Sequence, residues 1–272
     1  MIYKTYNQRK LNKLGCTIKP GNMEATMIEC EAMGVESLTL VSWPENSSLE
    51  FLKEGKSFLK GINIWLDGRI DISPINSLVN LEYFESKNNR LLGKIDFNNF
   101  HQLKYLEFGY SDYLYTGFET LNNLEDLTVN NWPYVNLDNM YQLTKLKILE
   151  FQFAKKLKSL KGIESLESLH ELHFYSAQQL EDISALEAVS KNIKKITFEL
   201  TGRIRDFSVL EKMPNLEKLH FYRCAPIHSI QFLKKLKHLK YAYIGTEVLD
   251  GDVSYLDEKG IEYKKLKKYK SS

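Results

Sequence analysis

The chain has 272 residues and a mass of 31.8 kDa, long enough for one or two domains with a substantial core. Hydrophobic residues make up 43% and charged residues 26%, a balance that argues against a wholly disordered chain. With 37 Lys and Arg against 35 Asp and Glu, the net charge of +2 gives no global signature of nucleic-acid or membrane binding.

The amino-terminal segment carries no signal for export or membrane insertion. It has no apolar stretch long enough for a signal peptide, and no later segment approaches the roughly 20 apolar residues of a membrane span. Three cysteines are too few, and odd in number, for a disulfide framework. We therefore expect a soluble, cytoplasmic protein.

A hexapeptide with apolar residues at its first, fourth and sixth positions recurs along the chain. Successive copies begin 21 to 24 residues apart, at Val35, Leu59, Leu81, Leu103, Leu124, Leu146, Leu169, Ile193, Leu216 and Leu239, with a degenerate copy at Ile261. We predict an amino-terminal cap over residues 1–33, about ten repeats over 34–258, and a carboxy-terminal cap with a lysine-rich tail over 259–272. No linker divides these segments, which predicts a single domain.

These repeats resemble the leucine-rich repeat family, and their linking segments resemble the 22-residue class of bacterial internalins. The best linking copy is IDISPINSLVNLEYF at residues 70–84, and Asp182 and Asp206 begin similar segments. The resemblance implies an α/β solenoid, curved, with a parallel β-sheet on the concave face and short helices or turns on the convex face. The family's Asn or Cys after each hexapeptide survives only as Asn89 and Cys224, which predicts an incomplete ladder at that position.

Alternation within each hexapeptide predicts which strand residues face solvent. In LEKLHF, Leu219 and Phe221 alternate with Lys218 and His220, the period of a strand with one buried face. Short linking segments can cover only one face of the sheet, so the other is expected to be open. Asp71, Asp182 and Asp206 follow strands, where a short carboxylate can cap the next turn.

The sequence contains few residues in patterns that indicate catalysis or metal binding. The string EGKS at residues 54–57 lacks the glycine that a phosphate-binding loop needs five residues before Gly55. On a strand His170 and His173 point to opposite faces, and His220 lies two strands from His173, so solvent-facing histidines are favoured over a zinc site. Cys16, Cys30 and Cys224 are interpreted as buried fillers. We predict no enzyme activity, no metal and no cofactor.

The open face is the predicted working surface. Its middle strands are acidic, and aromatic residues, the usual anchors of protein interfaces, are interleaved with the acids. The predicted partner-binding residues are Trp65, Tyr83, Glu85, Tyr105, Glu107, Asp126, Glu150, Glu171, His173, Tyr175, His220, Tyr222, Tyr241 and Tyr243. Strands favour Tyr and Trp in any case, and a solvated face needs charge, so a purely structural role stays open.

The leading hypothesis is a non-enzymatic module that binds a protein, one with a basic surface, through the concave face. A bacterial neutralising role of the immunity type fits the small size and the absence of export signals. An effector that binds a host protein is the alternative from another class, and a repeat-scaffold enzyme is the third. Neither nucleic acid nor membrane is expected as a partner.

Overall fold

The computed structural model describes residues 2–8, 10–66, 68–86, 90–252 and 254–261, with only the backbone given for residues 3–8. Two compact units divide the chain, unit 1 at Met1–Asn130 and unit 2 at Asn131–Ser272. Asp67, Asn89 and the predicted lysine-rich tail beyond residue 261 lie outside the described residues. No helix in the described ranges is long and apolar enough to cross a membrane.

Unit 1 begins with a hairpin and a helix. Strands β1 (Ile2–Gln8) and β2 (Lys13–Ile18) pair antiparallel, and helix α1 (Met23–Ala32) follows them. The side chain of Asn22 accepts a hydrogen bond from the Ala25 amide at 3.2 Å and caps this helix. Parallel pairing of β2 with the next strand joins the hairpin to the repeats.

The repeats of unit 1 add one parallel strand each. Its later strands are β3 (Ser37–Val41), β4 (Gly61–Trp65), β5 (Tyr83–Ser86), β6 (Ile95–Asp96), β7 (Tyr105–Gly109), β8 (Tyr115–Thr116) and β9 (Asp126–Asn130). The main sheet runs β1-β2-β3-β4-β5-β7-β9, while β6 and β8 form a separate short pair. The return segments contain 3₁₀ helices at Glu50–Gly55, Ser73–Ser77, Phe97–Asn99 and Phe118–Thr120.

Unit 2 repeats the same plan more regularly. Its parallel strands are β10 (Ile148–Gln152), β11 (Glu171–Tyr175), β12 (Lys195–Glu199), β13 (Lys218–Tyr222) and β14 (Tyr241–Gly245). Its 3₁₀ helices are Asp138–Met140, Ile163–Ser165, Ser184–Val189, Ser208–Lys212 and Gln231–Lys235, and helix α2 (Ser254–Glu258) follows. The predicted parallel sheet with short helices and turns is confirmed, and the ten predicted hexapeptides each contain a strand.

The predicted buried phase of the strands is confirmed. In unit 2 the sixth hexapeptide position builds a row of stacked rings, with centroids 5.6 Å apart between successive members Phe151, Phe174, Phe198 and Phe221. All four side chains are fully buried. Because each ring packs on the ring of the next repeat, neighbouring turns complete one another's core.

Carboxylates cap the turns as predicted. Oδ1 of Asp71 accepts from the Ser73 amide at 2.9 Å, and Oδ1 of Asp182 accepts from the Ser184 amide at 2.9 Å. Asp206 makes the same contact with Ser208 at 2.8 Å. The hydroxyl and then the amide of Ser184 hold the pKa of Asp182 below the ordinary value for aspartate, and the amide and hydroxyl of Ser208 do the same for Asp206.

From residue 132 onward, the ladder position three residues after each hexapeptide is filled by residues other than asparagine. Trp132, Ala154, Ala177 and Thr201 are buried there, and Thr201 Oγ1 donates to Cys224 Sγ at 3.3 Å. The residue just before each of them, and before Cys224, has a positive φ: Asn131, Phe153, Ser176, Leu200 and Arg223. The chain therefore turns out of each of these strands through a left-handed residue that is not glycine. A backbone hydrogen bond to the next repeat fixes the turn, for example from the Phe153 amide to the Tyr175 carbonyl at 2.8 Å.

Candidate protein-binding surfaces

The strand register divides the predicted binding residues between the two units. Unit 1 carries Trp65, Tyr83, Glu85, Tyr105, Glu107 and Asp126, and unit 2 carries Glu150, Glu171, His173, Tyr175, His220, Tyr222, Tyr241 and Tyr243. Within each unit these side chains alternate with the buried apolar positions, as predicted. We call the side of the sheet that bears them the covered face in unit 1 and the open face in unit 2.

The expectation that all of these side chains face solvent is wrong for the covered face. Tyr83, Glu85 and Asp126 are only 7%, 9% and 7% exposed. The turn after β1 lies against this side of the sheet, because Lys10 Nζ is 2.7 Å from Asp126 Oδ2. The same nitrogen sits 5.6 Å from the centre of the Tyr105 ring. A segment predicted only as a cap thus occupies part of the predicted binding surface.

Small residues make room for this turn. Gly61 begins β4, and a Cβ atom there would lie 2.8 Å from Leu11 Cδ1 and 2.6 Å from Ser37 Oγ. Ser37 and Gly61 are register partners at the start of neighbouring strands. Leu11 therefore packs where a larger strand residue would stand.

Three polar atoms of the covered face are buried with no hydrogen-bond partner among the described residues. They are Ser37 Oγ, Asn63 Oδ1 and Asn130 Nδ2. Tyr83 donates a hydrogen bond to Glu85 Oε2, and Glu107 is half-buried. Trp65, in contrast, is 64% exposed. The polar groups of this face are therefore only partly satisfied among the described residues.

On the open face the two acids predicted to bind a partner, Glu150 and Glu171, already have partners within the protein. Lys195 donates to Glu171 Oε2 at 3.1 Å, and His173 Nε2 lies 3.2 Å from the same oxygen. Burial would raise the pKa of Glu171, but Lys195 and His173 outweigh it and hold that pKa below its ordinary value. Glu150 Oε1 accepts from Gln152 Nε2 at 2.7 Å. Glu150 and Glu171 therefore do not form the unpaired acidic surface that the sequence predicted.

His173 corrects a second expectation, since it is 4% exposed rather than solvent-facing. Its Nδ1 is hydrogen-bonded to Thr197 Oγ1 at 3.0 Å, across to the neighbouring strand. Burial, and after it the charge of Lys195, lower its pKa below the ordinary histidine value. His173 is thus a packed side chain that links strands β11 and β12.

An aromatic cluster covers the β13 and β14 end of the open face. The His220 and Tyr243 rings are 4.5 Å apart, and the Tyr222 ring lies 6.4 Å from His220 and 6.1 Å from Tyr243. Arg223 stacks over Tyr222 at 5.1 Å. These rings are half-buried, as are Tyr175 and Tyr241. Lys218, the register partner of Tyr241 on β13, is exposed. Ring-to-ring contacts hold this surface in one arrangement.

The described histidines, cysteines and acids bear on metal and thiol chemistry. No group of three or more His, Cys, Asp or Glu side chains in the described ranges is placed to hold a metal ion. Cys16 and Cys30 are buried with their Sγ atoms 3.5 Å apart, and Cys224 is half-buried with a pKa raised by burial.

Alternation within the hexapeptides does not predict the contact between Lys10 and the covered face. The two members of the ion pair are 116 residues apart. The small residues Ser37 and Gly61 at outward strand positions are the one clue, because a solvated strand face rarely needs two such residues side by side.

The comparisons with known proteins agree with this architecture. Residues 130–247 match the family model described as a BspA-type leucine-rich repeat region, in six copies. No curated protein matches the sequence. An internalin, InlF, from Listeria monocytogenes is 18% identical with a TM-score of 0.53, and the alignment covers 90% of this chain and 73% of that one.

The functional domain of InlJ from Listeria monocytogenes, described as including a cysteine ladder, is also 18% identical, with a TM-score of 0.55. The alignment covers 84% of this chain and only 48% of that one, so this chain spans about half its length. Leucine-rich repeats are typically protein-interaction modules, and the internalin-like fold is typically a non-enzymatic scaffold. Residues 130–247 thus match a leucine-rich repeat region, and the described fold is similar to the leucine-rich repeat fold of the internalins.

Proposed function

We propose that this chain is a non-enzymatic protein-binding module that engages its partner through the open face of unit 2. The observation that carries the proposal is the aromatic cluster of His220, Tyr222 and Tyr243, with rings packed 4.5 to 6.4 Å apart. Aromatic side chains offer large contact areas, and they lose little conformational freedom on binding when they are already held in place.

Charge plays a smaller part in this proposal than the sequence suggested. The acids Glu150 and Glu171 already have partners on the face, and Lys218 and Arg223 flank the aromatic cluster. We therefore place the anchoring contacts on the tyrosines, with polar residues around them setting the orientation of the partner.

The test is capture of partner proteins from lysate of the native host, with the full chain as bait. We expect a protein that is captured by the wild type and lost with the Tyr222→Ala/Tyr243→Ala double variant. Tyr141→Ala serves as a matched control, because Tyr141 is 59% exposed and lies outside the strands. Equal capture by all three chains, or turnover of a small molecule by the wild type, contradicts the proposal.

The neutralising role and a cytoplasmic location form the finer part of the proposal. The three free cysteines support the location, because a reducing compartment keeps thiols unpaired. The neutralising role is a hypothesis that an inhibition assay decides. If the captured protein is a toxic enzyme of the same cell, adding the chain in equal amounts should suppress its activity. Capture of a host-cell protein instead favours the effector alternative, and fractionation of the native cells tests the location.

A further inference from the structure

We propose that the covered face of unit 1 is a second binding site, one that takes a lysine-bearing segment of a partner protein. The turn at residues 10–12 of this chain occupies that site as an internal competitor. The site is separate from the open face, so this inference stands or falls independently of the function proposed above.

The position of Lys10 defines the ligand chemistry. Its ammonium group lies 2.7 Å from Asp126 Oδ2 and 5.6 Å from the centre of the Tyr105 ring. A carboxylate beside an aromatic face is a recognised receptor for an ammonium group, since it offers both an ion pair and a cation–π contact.

The receptor half of this contact belongs to the sheet. The Asp126 side chain is 10% exposed, whereas that of Lys10 is 41% exposed, so the lysine approaches a carboxylate set into the face. Glu85 and Glu107 lie opposite each other on β5 and β7 in the next row and add negative charge to the surroundings. A basic segment is therefore the occupant that this face attracts.

Leu11 adds an apolar requirement beside the lysine. It sits over Gly61, where a Cβ atom would come within 2.8 Å of Leu11 Cδ1. Because Gly61 has no side chain, Leu11 can pack directly against the backbone of β4. The covered face is thus suited to bind a lysine that is followed by an apolar residue.

The turn is an imperfect occupant. Ser37 Oγ beside it, and Asn63 Oδ1 and Asn130 Nδ2 on the same face, are buried with no hydrogen-bond partner among the described residues. Buried polar groups without partners cost free energy, and a ligand that supplies hydrogen-bonding groups to them recovers it. Such a ligand can displace the turn even though tethering gives the turn a high effective concentration.

A fluorescent synthetic peptide with the sequence of residues 8–14, QRKLNKL, tests the proposal on the full chain. The Lys10→Ala variant should bind it about tenfold more tightly than the wild type, because the internal competitor is weakened. Lys53→Ala removes the same charge from an exposed ion pair with Glu50 outside this face and should bind like the wild type. A peptide with Glu in place of the first lysine should not bind.

Equal peptide affinity of the wild type and Lys10→Ala overturns the proposal, and so does equal gain in Lys10→Ala and Lys53→Ala. Carbodiimide coupling gives a second measurement that needs no variant. The carbodiimide takes up the elements of water and becomes a urea while the Lys10 amine and the Asp126 carboxylate join as an amide. Mass spectrometry should find this link in the wild type and less of it with excess peptide, and its absence in the wild type contradicts the proposal.

Discussion

The covered face of unit 1 and the open face of unit 2 are built by the same hexapeptide, yet among the described residues only the face of unit 1 is seen to be covered by another part of its own unit. At the first outward position, β3 and β4 carry Ser37 and Gly61, whereas β12 and β13 carry Lys195 and Lys218. Small residues allow a turn to approach the sheet, and long charged ones favour contact with solvent. A repeat therefore determines which side chains leave the core, and its variable positions determine what those side chains meet.

The cores of the two units also differ. Unit 2 stacks Phe151, Phe174, Phe198 and Phe221 nearly parallel, with interplanar angles of 6°, 10° and 9°. In unit 1 the rings of Phe97, Phe108 and Tyr115 meet mostly edge to face around the short β6–β8 pair. Rings at the same hexapeptide position of successive repeats form a stack, and the extra β6–β8 pair of unit 1 gathers its rings into a cluster.

The largest expected effect on stability comes from removing one ring of the stacked phenylalanine row in unit 2. Phe198→Ala should lower the free energy of unfolding by about 3 to 5 kcal/mol, because it removes a fully buried ring that stacks on two others. Urea unfolding followed by circular dichroism measures this. Tyr222→Ala, on the opposite side of the neighbouring strand, should change the value by less than about 1 kcal/mol. Similar losses for both variants would contradict the assignment of the two sides.

A methyl group added under the turn tests the covered face. Gly61→Ala should cost about 1 to 2 kcal/mol of unfolding free energy, because its Cβ meets Leu11 and Ser37. The Leu11→Ala/Gly61→Ala double variant should show a coupling between the two sites in urea unfolding, since Leu11 would no longer press on residue 61. Lys218→Ala, at the same strand position on the open face, should change stability by less than about 0.5 kcal/mol. Strict additivity at positions 11 and 61 would show that the turn does not rest there.

Much of the fold follows from the sequence, because its determinants are local. Leu219 and Phe221 lie two residues apart within one hexapeptide, so alternation alone assigns them to the core. Likewise Asp182 and Ser184 form a cap within three residues. Patterns of this length can be read from one segment of the chain without knowledge of any other.

The state of the candidate sites could not be predicted in this way. The burial of Asp126 depends on Lys10, 116 residues earlier, and the burial of His173 depends partly on Thr197 in the next repeat. Cys16 and Cys30 likewise meet only because β2 and α1 pack together. Such contacts join different segments, and alternation in one segment carries no information about the other.

Acid should affect the open face through His173. Because burial lowers the pKa of His173 in the folded protein, the unfolded chain binds the proton more readily. Stability should therefore fall as the pH drops below about 6.5, the ordinary histidine value, and the lowered pKa of Glu171 adds a further loss at lower pH. His173→Gln should flatten the pH dependence of the unfolding free energy between about pH 7 and 5. An unchanged slope would contradict the buried, neutral state of His173.

The difference between the two faces can be measured in one experiment, hydroxyl-radical footprinting of the full chain read by mass spectrometry. In the wild type we expect Tyr222, Tyr241 and Tyr243 to be oxidised readily and Tyr83 to be protected like the buried Tyr115. In the Lys10→Glu variant, repulsion from Asp126 should lift the turn, so Tyr83 becomes reactive while the three tyrosines of unit 2 stay unchanged. If Tyr83 of the wild type is oxidised as fast as Tyr241, the covered face is not covered and the central comparison fails.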